Sequence, residues 1–189
     1  MAKQTKEESN AEYAEGAKQL EAAFAKQTKE EVMAKYAEGV EQLEAALAGL
    51  SESDHGLSRA EGKWSIRQIV HHIADAEDIW KIAIKAALGN SGCRFDLSWY
   101  LPDNKCAEPL DYENRPFADA VELFKAARRH ITALVNHMPD DAWERHIIFI
   151  TDNIPEGEPF TVGKMLFWQS VHLDIHIKQI QETREKHQV

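Results

Sequence analysis

The stretch TVGKMLFWQSVHLDIHIKQIQETREK, residues 161–186, constrains the fold more than any other part of the chain. His172 and His176 lie four residues apart, so on a helix they stand one turn above the other on one face. With roughly 100° of rotation per residue, Met165, Trp168, His172, Ile175, His176 and Ile180 share that face, whereas Lys164, Lys178 and Arg184 fall outside it. The helix must therefore turn two imidazoles into its apolar stripe. Each ring carries nitrogens that need partners in such surroundings. From this helix alone two readings stand open: hydrogen-bonded core histidines, or two ligands of one metal ion. A third inward ligand from another helix would separate them.

Three further segments have helical periodicity. In residues 25–50 the residues Val32, Tyr36, Val40, Leu43, Leu47 and Leu50 recur at three- and four-residue steps. A second helix opens at Trp64-Ser65-Ile66-Arg67-Gln68-Ile69, with Ser65 as N-cap, Gln68 completing a capping box, and Trp64 set against Ile69 as a hydrophobic staple. It runs to about Leu88, where Gly89-Asn90-Ser91-Gly92 stops it. The third covers Phe117 to Met138, with Phe117, Val121, Phe124, Ile131, Leu134, Val135 and Met138 on its apolar side. His130 and His137 face away from that side and are assigned to the surface. The pattern predicts an all-α protein, with one short extended run at His146–Ile150 and loops at 89–116 and 151–160.

The chain also repeats itself. AKQTKEESNAEYAEGAKQLEAAF (2–24) is followed directly by AKQTKEEVMAKYAEGVEQLEAAL (25–47), identical at 17 of 23 positions. Twenty-three residues leave about 140° of rotation between equivalent positions of one continuous helix, so the two stripes share no seam. Where the second copy has Val32, Met33 and Val40, the first has Ser9, Asn10 and Ala17. Residues 25–189 are therefore expected to form one core domain. Residues 1–24 read as an extra helical segment, a recent or engineered duplication, which is peripheral or exchanged with a neighbouring chain.

At 189 residues with a formal net charge of −10, the chain opposes a nucleic-acid footprint, which needs clustered Lys and Arg. No apolar run approaches the roughly 20 residues that span a bilayer, and MAKQTKEESN lacks the apolar core of a secretory signal. A cytoplasmic protein with a small-molecule substrate is expected. Cys93 and Cys106 match no metal-ligand spacing and are read as reduced thiols.

Rotation on the second helix separates His71 from His72. His72 falls at the edge of the stripe formed by Ile66, Ile69, Val70, Ile73, Ala76, Trp80, Ile84 and Ala87, and His71 points nearly opposite, towards solvent. His72, His172 and His176 are thus the three inward histidines. Three imidazoles leave a coordination position open for water or substrate, as catalytic sites do. Trp99 and Tyr100 in the long loop, with Met165 and Trp168 on the last helix, are candidate walls of a pocket.

These motifs, GKWSIRQIVHHIADAE (62–77) and HLDIHIKQI (172–180), resemble those of the DinB/YfiT-like superfamily over roughly residues 26–185. The resemblance implies a four-helix bundle, a divalent ion, zinc or nickel, held by His72, His172 and His176, and a homodimer. It also implies enzymes of two kinds, transferases of a small thiol and metal-dependent hydrolases. In the first, the open position takes the sulfur of a low-molecular-weight thiol cosubstrate, whose thiolate attacks an electrophile. In the second it takes a water. That chemistry wants a general base, and the acidic residues nearest in sequence, Glu77 at the stripe edge and Asp174 pointing outward, fit poorly; this favours the thiol. A non-catalytic helical scaffold or binding protein is the third reading.

Overall fold

The computed structural model describes residues 16, 18–100 and 105–189. Four long helices carry the fold: α1 (Lys29–Leu47), α2 (Ile66–Gly89), α3 (Phe117–Asn136) and α4 (Val162–His187). The first two are opened by reciprocal caps. Thr28 Oγ1 accepts from Glu31 N while the Glu31 carboxylate accepts from Thr28 N, and Ser65 and Gln68 make the same exchange. The Ser65 box is the one expected from the sequence. Removing its hydroxyl in Ser65→Ala should lower unfolding free energy by about 1 kcal/mol, read from a urea titration.

The helices meet in an order that sequence neighbours alone do not suggest. Helix α1 packs chiefly on α3 and α4, and α2 likewise on α3 and α4. Two apolar clusters fill the bundle. One gathers Val32 and Met33 of α1, Ile84 and Leu88 of α2, Ile131 and Val135 of α3, and Met165 and Leu166 of α4. The other gathers Leu43, Ile66, Ile69, Phe124, Leu173 and Ile180. Helices α1 and α4 therefore run from the first cluster to the second, and α2 and α3 run the opposite way. Because α2 and α3 are consecutive yet parallel, their connection must return the length of the bundle. That requirement explains the long segment 90–116.

The chain is not purely helical. Strands β1 (Cys93–Asp96), β2 (His146–Thr151) and β3 (Ile154–Thr161) form a sheet of order β1-β2-β3 against the first cluster. Strand β1 pairs in parallel with β2, Cys93 opposite Ile147, and β2 pairs antiparallel with β3, Ile147 opposite Phe160. Only β2 was expected as an extended run; β1 and β3 correct two segments read as loops. Strand β1 alternates half-buried Cys93 and Phe95 with exposed Arg94 and Asp96, but over only four residues, and its partner lies far along the chain. Strand β3 carries Pro155, Gly157 and Pro159, tolerable only because it is an edge strand.

Most of the first repeat, residues 1–15 and 17, lies outside the described residues. Residues 18–24 are helical, and Glu21 meets Lys164 at 2.6 Å while the Phe24 ring lies 5.5 Å from that of Phe167. The contacts reach the outside of α4 within the same chain.

Candidate metal centre

Between the two apolar clusters lies a layer of buried polar groups, and the histidines stand beside it. His72 comes from α2, and His172 and His176 come from the adjacent, antiparallel α4. The Nε2 atoms of His72 and His172 are 3.0 Å apart, as are those of His176 and His172. The three rings meet nearly edge to face, with centroids 4.5 to 5.0 Å apart. One donor atom from each lies within 4.8 Å of the others. A metal–nitrogen bond of roughly 2.0–2.1 Å sets ligand nitrogens of a tetrahedral centre about 3.3 Å apart, so the observed spacing fits.

The protonation pattern fits as well. His176 Nδ1 lies 3.1 Å from Gln179 Oε1, an atom that can only accept. With Nδ1–H donating to that oxygen, Nε2 is the nitrogen turned towards the cluster. Burial, then the neighbouring His176 and His72, and lastly Arg128 hold the His172 ring well below its ordinary pKa. The ring is therefore held neutral, with its nitrogen free to act as a ligand. Converging imidazole nitrogens have too few protons among them to satisfy one another, and the set suits zinc, nickel and other divalent ions of similar preference.

Trp64, one residue before the α2 N-cap, covers this centre. Its ring centroid is 4.8 Å from that of His72 and 6.4 Å from that of His176. The other side of Trp64 packs on Cys106, Ala107 and Tyr112, where Tyr100 also packs. Of the expected pocket walls, Tyr100 packs on the same small cluster as Trp64. Trp99 is 66% exposed and meets Tyr100 edge-on. Met165 is fully buried in the first apolar cluster, and Trp168 packs against that cluster, its ring T-shaped to that of Phe160.

Three expectations about orientation require correction. His71, assigned to solvent, is 1% exposed. The returning connection covers it: its Nε2 lies 3.2 Å from the Arg115 carbonyl oxygen, and its ring stacks on Tyr112 at 5.7 Å. A rotation argument sees only a helix's own stripe, not a loop laid over its back. Ile175, assigned to the buried face, is 51% exposed, because the buried side of α4 runs through Leu166, Gln169, Leu173, His176 and Ile180. Glu77, placed at a stripe edge, is 1% exposed.

Glu77 belongs to the polar layer itself. Tyr36 of α1 donates its hydroxyl to Glu77 Oε1, and Arg128 Nε of α3 donates to Glu77 Oε2 at 3.1 Å. The other arms of Arg128 donate to the carbonyls of Tyr36 at 3.1 Å and Gln169 at 2.8 Å. The guanidinium also lies 4.5 Å from the Tyr36 ring and 4.8 Å from that of Phe124. One residue from each of the four long helices thus enters one network. Arg128 was not singled out from sequence, although it falls four residues after Phe124 and three before Ile131, on the inward face of α3.

A search of curated proteins finds no match to the sequence. Among solved structures the chain is similar to YfiT from Bacillus subtilis, described as a probable metal-dependent hydrolase with an unusual four-helix bundle topology. The TM-score is 0.72 at 21% identity, over 85% of this chain and 90% of that one. It is also similar to a mycothiol-dependent maleylpyruvate isomerase, with a TM-score of 0.64 at 16% identity, over 83% of this chain and 62% of that enzyme, less than two thirds of its length. A family model described as the DinB superfamily matches residues 35–180, which include all three histidines and all four residues of the buried network. The chain belongs to the DinB superfamily.

Proposed function

We propose that this chain is a divalent-metal-dependent enzyme that transfers a small thiol to an electrophilic substrate, with zinc or nickel held by His72, His172 and His176. The observation that carries the reading is the convergence of three Nε2 atoms from two helices beside a buried polar layer. When bound, the ion supplies a Lewis-acidic position that favours thiolate over thiol. The chain's own residues prepare that position. Gln179 holds the His176 tautomer, burial keeps His172 neutral, and Trp64 shields His72 and His176 from water on one side.

Thiol chemistry is preferred over hydrolysis on the state of the nearby carboxylates. A hydrolase needs a base free to take a proton. Glu77 is committed to Tyr36 and Arg128, and Asp174 pairs with Lys35 at 2.9 Å. The isomerase among the structural relatives is thiol-dependent, which supports the same reading; the hydrolase description of YfiT supports the alternative.

Protein purified without an affinity tag should carry about one divalent ion per chain. Mixed with bacillithiol, mycothiol or glutathione and a generic electrophile, it should consume thiol in a metal-dependent manner that a chelator stops. Metal-dependent cleavage of ester or amide substrates without thiol consumption would select the hydrolase. A stoichiometric ion with neither activity would leave a binding protein.

A further inference from the structure

The polar layer makes narrow demands on α1, and residues 2–24 meet them a second time. A Cβ on Gly39 would lie 1.8 Å from Arg128 Nη1 and 2.7 Å from Leu173 Cδ2, so this helix must have glycine where the guanidinium crosses it. It must also have a tyrosine three residues earlier to donate to Glu77. The buried residues of α1 are Val32, Met33, Tyr36, Gly39, Val40, Leu43 and Ala46. At the last four positions other than Val40, namely Tyr36, Gly39, Leu43 and Ala46, the first repeat has the same residues: Tyr13, Gly16, Leu20 and Ala23. The capping box Thr28/Glu31 is matched by Thr5/Glu8.

We propose that residues 2–24 are a second occupant for the α1 groove of this same chain, giving a slipped state in which they form α1 and residues 25–47 join the connection to α2. The described state prevails because Val32, Met33 and Val40 bury apolar surface where the first repeat offers Ser9, Asn10 and Ala17. Lys35, which pairs with Asp174, has Glu12 as its counterpart and adds to the same preference. The slip lengthens one surface connection, and the entropy of closing a loop grows only logarithmically with its length. What distinguishes the two occupants is apolar area. What they share is the stereochemistry that the Arg128 layer requires.

Two leucine substitutions in the full-length chain test this. A Cβ at Gly16 meets no atom within 4 Å, so Gly16→Leu alone should leave the melting temperature unchanged. Gly39→Leu blocks the normal occupant and should lower the melting temperature yet leave a cooperative, helical, metal-binding fold, because the first repeat takes the groove. Protease cleavage should then rise within 25–47, about tenfold or more over the unsubstituted chain. The double variant has no usable occupant and should lose cooperative melting. Three outcomes would overturn the proposal: Gly39→Leu already unfolded, Gly39→Leu no more stable than the double variant, or a rescued fold whose melting temperature rises with protein concentration, which would assign the rescue to exchange between chains.

Discussion

Replacing His172 by alanine is expected to abolish stoichiometric metal binding. His172 stands in the middle of the cluster, with its Nε2 3.0 Å from those of both His72 and His176, so its loss leaves two donors on different helices. Losing an outer partner of a ligand typically costs 10- to 100-fold in affinity, and loss of the ligand itself should exceed that. The measurement is metal content after dialysis, paired with melting in the presence of zinc. An ion at a hundredfold excess over its dissociation constant stabilises the folded state by about 2.7 kcal/mol. For a chain of this size that is a rise of roughly 5–10 °C, which His172→Ala should lose. His71→Ala provides the control: it removes a buried histidine next to His72 in sequence but bound to the Arg115 carbonyl, and it should keep the ion. Equal metal content in His172→Ala and the unsubstituted protein would sink the assignment.

The second large effect belongs to the polar layer. Arg128→Leu leaves the Glu77 carboxylate buried with only Tyr36 for company, and the expected loss is about 3–5 kcal/mol of unfolding free energy. The double change Glu77→Leu, Arg128→Leu removes both charges and should recover much of that loss, since an apolar pair of similar volume is often no worse than a buried ion pair. Urea titrations of the single and double variants give the coupling. A cost below about 1 kcal/mol for Arg128→Leu would show that the network is not what joins the helices. Because Glu77 is thereby a structural carboxylate, the same experiment bears on its unsuitability as a catalytic base.

Much of this arrangement is legible in the sequence. The capping residues Ser65 and Gln68, the final helix after Thr161 and the inward turn of His72 follow from local chemistry, because a cap needs a hydroxyl at one position and a buried stripe needs a period near 3.6. Trp64, a staple by its place in the sequence, also covers the centre. The small sheet escaped because its parallel pairing joins residues far apart, and because β3 is an edge strand broken by prolines. Arg128 escaped for a different reason. A charged residue on an inward face looks like an interruption of the stripe until its carboxylate partner, on another helix, is known.

By itself the sequence determined the four long helices, most of each apolar stripe and three histidines that could share an ion, since these depend on residues within a few turns of one another. Only the tertiary structure decided that α1 lies between α3 and α4, that the returning connection buries His71, and that Tyr36, Glu77, Arg128 and Gln169 meet in one layer. Those facts depend on which helix faces which. A helical period specifies how far a side chain is turned about its own axis and carries no information about the partner on the other side.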